Sequence, residues 1–117
     1  MNIEKLREFC LSLPHVTEDV KWEKDLCFSV GGKIFCACGI QPSDSWQFSF
    51  KCTPEKFAEL TEMKGVEPAP YVARYHWVAV TGSSALADGE LEDLISKSYL
   101  MVFQNLPASV RQSLARR

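Results

Sequence analysis

"CFSVGGKIFC", residues Cys27–Cys36, decides the fold of this chain. Two apolar runs of strand-forming residues flank Gly31 and Gly32, and paired glycines supply the positive φ angles of a two-residue hairpin turn. A turn of that kind pairs Val30 with Lys33 and sets Cys27 directly opposite Cys36. Cross-strand neighbours lie close enough for a disulfide to be geometrically conceivable. The five cysteines (Cys10, Cys27, Cys36, Cys38, Cys52) are odd in number. They form no CxxC pair and sit in apolar segments, so thiols packed as small hydrophobes are expected in a reducing compartment.

Working outward from the hairpin, the period of two continues from Val20 to Cys52. Its clearest piece is "WQFSFK", residues 46–51, in which Trp46, Phe48 and Phe50 point one way and Gln47, Ser49 and Lys51 the other. The Gly-Gly turn and the "QPSDS" loop, residues 41–45, divide the region into a meander of three or four antiparallel strands. One face of such a sheet needs a cover, and the flanking segments are helical. Ile3, Leu6, Phe9, Cys10 and Leu13 recur at helical spacing ahead of Pro14, which predicts an amphipathic helix over 2–13. Thr53 caps a second helix with Pro54 at its first position and Phe57, Leu60 and Met63 on its buried side, and Gly65 stops it. After the connection "VEPAPYVARYH", residues 77–81 form the last strand. Asp88 is placed to cap a third helix, striped by Leu91, Leu94, Ile95, Ser98 and Val102 as far as Asn105. Pro107 opens a short final helix carrying Arg111, Arg116 and Arg117. The order predicts one α+β domain over 1–117: an antiparallel meander with helices on one face.

The 117 residues carry a net charge of −2 and are 46% hydrophobic, which suits a single globular core and argues against bulk electrostatic coating of nucleic acid. No apolar run approaches the ~20 residues that span a bilayer. The opening "MNIEKLREFC" lacks the apolar block of a signal peptide, so a cytoplasmic, membrane-free monomer is the expectation. Catalytic signatures such as GxGxxG, the P-loop, HExxH and GxSxG are absent. "TGSSA" lacks the second glycine of a nucleophile elbow and reads as a turn. His15 and His76, the only two histidines, cannot build a histidine-rich metal site. Neither an enzyme nor a cofactor is expected.

Acidic residues cluster in "TEDVKWEKD", residues 17–25. Asp19, Glu23 and Asp25, with Glu4 and Glu8 one turn apart on the first helix, form the one arrangement that suggests a weak cation or small-ligand site. Lys21, Lys24, Lys5 and Arg7 interleave them, as on a solvated mixed-charge face.

"ARYHWVAV", residues 73–80, is the richest candidate site. In an extended chain Arg74 and His76 share one face and Tyr75 and Trp77 the other. Lys51 and Lys33 come near if the last strand docks beside the meander. Cationic donors next to an aromatic suit a single-stranded nucleic acid or a phosphate-bearing ligand. The candidate contacts are Lys33, Lys51, Arg74, His76 and Trp77. The competing reading buries Trp77, gives His76 to a neighbouring carbonyl and leaves Arg74 to solvent.

Residues 74–107, "RYHWVAVTGSSALADGELEDLISKSYLMVFQNLP", are similar to the C-terminal half of the MmcQ/YjbR family of small bacterial proteins. A basic residue, one spacer and His-Trp lead into a strand there, and a later helix holds Ser-Tyr and ends near Leu-Pro. Arg74, His76, Trp77, Ser98, Tyr99, Leu106 and Pro107 match those places. The front half agrees through Pro14-His15, Glu18-Asp19, "VGGKIF", Lys51 and Thr53-Pro54-Glu55. Arg74 stands where lysine is usual, which changes donor geometry, and the loop over 80–89 is longer than the family's. The resemblance implies a frataxin-like two-layer sandwich. By fold-level analogy it also implies a DNA-binding role through β-hairpin wings, and it supplies no catalytic residue. A module for a protein partner is a third expectation, which no residue of the sequence singles out.

Overall fold

The computed structural model describes residues 2–21, 25–39, 48–81 and 85–116. Trp46, Glu23, Lys24, Arg117, the "QPSDS" loop and the centre of "TGSSA" lie outside them. The elements run α1 (Ile3–Ser12), β1 (Val16–Lys21), β2 (Asp25–Val30), β3 (Lys33–Gly39), β4 (Phe48–Lys51), α2 (Pro54–Leu60), β5 (Val66–Pro68), β6 (Trp77–Val80), α3 (Asp88–Gln104) and α4 (Ala108–Ala115). The strands form one six-stranded antiparallel sheet in the order β1-β2-β3-β4-β6-β5. The meander therefore extends further than the alternation alone suggests. β1 begins at Val16, and part of the proline-bearing connection becomes β5 on the far edge.

Local chemistry sets the helix ends. The Asn2 carboxamide oxygen accepts from the Lys5 amide at 2.8 Å, and the Thr53 hydroxyl accepts from the Lys56 amide at 3.2 Å. Both satisfy amides that the first turn leaves unpaired. Asp88 does not cap α3: Ala87 holds the cap position and Asp88 is the first helical residue, where its charge suits the positive end of the helix dipole.

Among the described residues four helices feed one core. Leu6 and Cys10 of α1, Leu60 of α2, Leu91, Leu94, Ile95 and Tyr99 of α3, and Leu114 of α4 pack with Phe28, Val30, Phe35, Cys36, Phe50, Val78 and Val80 of the sheet. The result is a two-layer α+β sandwich with one helical face.

The hairpin that decides the fold departs from ideal pairing. Val30 does face Lys33, and Ser29 faces Ile34, but Phe28 faces Cys36, so Phe35 is an extra residue. This β-bulge shifts the register by one. Cys27 consequently lies opposite Ala37, not Cys36, and the cross-strand cysteine pair of the simple hairpin does not form. Phe35 and Cys36 both reach the helical core, with Cys36 opposite Phe50 and Cys38 opposite Phe48. Cys27 turns to the far face, in a row of matched positions, Asp19, Cys27, Ala37, Ser49, Ala79 and Glu67, that crosses all six strands.

Helix α3 locks the bulge. Ser98 is 0% exposed; its hydroxyl donates to the Phe35 carbonyl at 2.7 Å and accepts from the Lys51 amide at 3.0 Å. Next to it, the Tyr99 ring stands edge-on to Phe35 with centroids 5.4 Å apart. The Tyr99 hydroxyl donates to the Pro14 carbonyl at 2.7 Å. The Ser-Tyr pair thus joins α3 to β3, to β4 and to the α1–β1 corner.

Candidate nucleic-acid interface

The candidate residues gather at one end of the sheet, though not on one face. Lys51 ends β4 opposite Trp77, which begins β6, and the pair shares the far face with Ser49 and Ala79. Both residues are half-buried. Lys33 is exposed, but it pairs with Val30, a core residue, and so belongs to the helical side. The sheet therefore separates Lys33 from the Lys51–Trp77 pair.

Residues 73–76 are not extended, and the alternation expected for Arg74, Tyr75, His76 and Trp77 fails. Ala73–Tyr75 form one turn of 3-10 helix, with the Tyr75 amide donating to Val72 O at 3.0 Å and the His76 amide to Ala73 O at 2.9 Å. His76 then takes the left-handed conformation, φ 66°, an uncommon state for a residue with a side chain. Its compensation is local: the carbonyl of His76 accepts from the Cys52 amide at 2.9 Å and from Cys52 Sγ at 3.3 Å. The imidazole stands edge-on to Phe57 of α2, with ring centroids 5.7 Å apart. His76 is thus a half-buried joint between the end of β4, α2 and β6.

The same turn puts Arg74 and the aromatics on display. Arg74 is exposed and its guanidinium carbon lies 4.9 Å from the Tyr75 ring centroid, within cation–π range. Tyr75 is 50% exposed. Tyr71 is 97% exposed and adopts φ 69°. Tyr71, Arg74, Tyr75 and Trp77 fall in the segment that leads into β6, with Lys51 opposite Trp77, and make up an aromatic and cationic lip ahead of that strand. Sequence reasoning missed Tyr71 and paired Tyr75 with the wrong neighbours. Pro70 marks a turn before Tyr71, but no residue type announces two left-handed positions at tyrosine and histidine.

The acidic set is dispersed. Asp19 on β1 and Asp25 on β2 share the far face, with Lys21 Nζ 3.7 Å from the Asp19 carboxylate. Glu4 and Glu8 sit on α1, in the other layer. Glu18 points to α1 and accepts two hydrogen bonds from Arg7 at 2.6 and 2.7 Å, which hold its carboxyl below the usual carboxylate range. Glu23 is outside the described residues. Among the described residues, no group of three or more His, Cys, Asp or Glu side chains is placed to hold a metal ion.

The five cysteines are free and buried. Burial raises the thiols of Cys27, Cys38 and Cys52 above the ordinary range, to about 12 for Cys38 and about 11 for Cys52, and a hydrogen bond with Cys10, with burial added, raises Cys36. Such thiols are poor nucleophiles and metal ligands at neutral pH. Among the described residues no helix is long and apolar enough to cross a membrane.

A family model described as YjbR matches residues 11–101. The crystal structure of Deinococcus radiodurans protein DR2400, a DUF419 domain, superposes with a TM-score of 0.86 at 27% identity, covering 97% of this chain and 88% of that one. A Pseudomonas syringae protein superposes with a TM-score of 0.73 at 20% identity, covering 87% of this chain and 99% of that one, a likeness of fold. No protein with a curated description matches.

Proposed function

The chain belongs to the YjbR family, and from that premise we propose that it is a non-enzymatic cytoplasmic binding protein that engages single-stranded nucleic acid through the lip ahead of β6. One observation carries the reading. Exposed Tyr71 and Tyr75, the Arg74 guanidinium resting on Tyr75, and the Lys51–Trp77 pair all belong to the segment that leads into β6 or to the strand end paired with it. Aromatic faces accept bases of any sequence, and nearby cations meet the phosphates; each stacked base contributes about 1–3 kcal/mol.

The lip is short, and the chain is slightly acidic. Two cations, Arg74 and Lys51, give a shallow log–log salt dependence, a slope of roughly −1.4 for a single strand. Duplex DNA offers stacking surface only at its ends, so it binds more weakly than single strands. His76 and Lys33 contribute little, the first because its ring packs on Phe57 and the second because it lies across the sheet.

Fluorescence anisotropy tests this, with labelled single- and double-stranded oligonucleotides at about 50 and 200 mM salt. The expected result is salt-sensitive binding that favours single strands and is lost in Arg74→Ala and Tyr71→Ala with folding unchanged. No binding at low salt, or indifference to both substitutions, overturns it.

A further inference from the structure

Between α2 and α3, on the helical side of the sheet, lies a groove of about 460 Å³. Its floor is apolar: Cys52 and Leu94 are buried and line it, with Met101 half-buried beside them. Leu100 stands at the mouth with 49% of its surface exposed, an aliphatic side chain the fold leaves half in water. Leu94, Lys97, Met101 and Gln104 recur at helical spacing, so α3 presents one stripe that is apolar below and polar at its rim.

The charges at the mouth share one sign. Among the described residues, Lys56 of α2 and Lys97 of α3 are the only charged ones in the lining. Their carboxylate partners lie outside it: Lys56 Nζ is 3.1 Å from Glu59 and Lys97 Nζ is 3.0 Å from Asp93. Both pairs are exposed, and exposed pairs of this kind are weak enough for an ammonium to swing to another anion. The volume is that of a small-molecule site, and the pattern of an apolar floor with a few convergent polar groups is the usual one for such sites.

From this geometry we infer that the groove binds a small amphipathic anion. A carboxylate or phosphate head sits between Lys56 and Lys97, within reach of the Gln104 amide. A short aliphatic or aryl tail covers Leu94, Leu100 and Met101 above the Cys52 thiol. The groove's lining shares no residue with Tyr71, Arg74, Tyr75, Trp77 and Lys51, so either site can fail without the other.

The test uses the full chain with ¹³C-methyl methionine, titrated with octanoate, octyl phosphate and octanol. Met101 lines the groove and Met63 does not. Saturable movement of the Met101 methyl with octanoate or octyl phosphate, and Met63 still, is the expected result; the stronger of the two identifies the head. Octanol binds far more weakly, and Lys56→Gln and Lys97→Gln each weaken the anion by about tenfold, the loss of one charge-assisted contact. Lys97 is exposed and Lys56 half-buried, neither in the core, so glutamine at either position leaves the fold in place. A Met101 signal unmoved at millimolar ligand overturns the inference. So does equal movement of Met63, or unchanged affinity in the lysine double variant.

Discussion

The hydroxyl of Ser98 donates to the carbonyl of Phe35 across 2.7 Å, joining the third helix to the bulged residue of β3. A β-bulge leaves one backbone group outside the ladder, and a buried group left unpaired is destabilising. Ser98 takes up that carbonyl and also accepts from the Lys51 amide. Ser98→Ala orphans both and is expected to cost about 1–3 kcal/mol. Urea unfolding at constant m-value reads this, and a loss under roughly 0.5 kcal/mol would show the bulge to be self-sufficient.

Tyr99→Phe removes a hydrogen bond to Pro14 O while keeping the ring against Phe35 and Phe103. The expected loss is about 1 kcal/mol. A larger loss than for Ser98→Ala would move the main tie between the layers from the bulge to the α1–β1 corner.

The two turn glycines are not equivalent. Both have positive φ, 59° at Gly31 and 81° at Gly32. A Cβ at Gly31 would stand 2.6 Å from Leu106 Cδ1 and 3.2 Å from Val110 Cγ1, whereas one at Gly32 meets nothing within 4 Å. Gly32→Ala should therefore cost only the left-handed strain, about 1 kcal/mol, and Gly31→Ala about 2–3 kcal/mol, because Leu106 and Val110 must also move. Equal thermal shifts for the two variants would contradict the packing of the hairpin tip against the C-terminal helix.

Stability should fall on the alkaline side. The Cys38 and Cys52 thiols, raised to about 12 and about 11 from an ordinary 9.0, keep their protons in the folded state after an unfolded chain has lost them. The unfolded state then binds fewer protons, so the free energy of unfolding drops with pH. The contribution is intact below about 9 and disappears as pH climbs through 11 and 12. Tyr99, also raised by burial, adds to the loss above its ordinary value of 10.0. Denaturant midpoints measured under reductant from neutral to strongly alkaline pH should be flat and then decline; a flat curve throughout would mean the thiols titrate normally.

His76→Asn separates joint from contact. Asparagine tolerates the left-handed conformation, so the carbonyl can still serve Cys52. The Phe57 contact is lost, with a cost of about 0.5–1.5 kcal/mol. Nucleic-acid affinity should not change in this variant, and a clear drop in anisotropy titrations would return His76 to the contact set.

Much of the architecture was written in local pattern. Gly31-Gly32 specified the hairpin, Thr53-Pro54 the start of α2, and the apolar stripes of α1 and α3 which faces go inward. These are short-range signals, each resting on a residue's own dihedral preferences or on a period of two or 3.6. The candidate site was legible in residue type but not in arrangement. Arg74 and Trp77 could be singled out, and Lys51 does pair with Trp77. That Lys33 lies across the sheet, that His76 turns inward to Phe57 and that Tyr71 turns outward could not.

The missing information is tertiary. By strict alternation Cys27 and Cys36 share a face; the extra residue at Phe35 separates them, and Ser98, 63 positions along the chain, holds that extra residue in place. The left-handed turn at His76 depends likewise on Cys52, 24 positions away. Sequence determined the elements because propensity and periodicity act between neighbours. Tertiary structure alone decided register and exposure, because one inserted residue reverses a strand's faces, and partners distant in the chain select the inserted form.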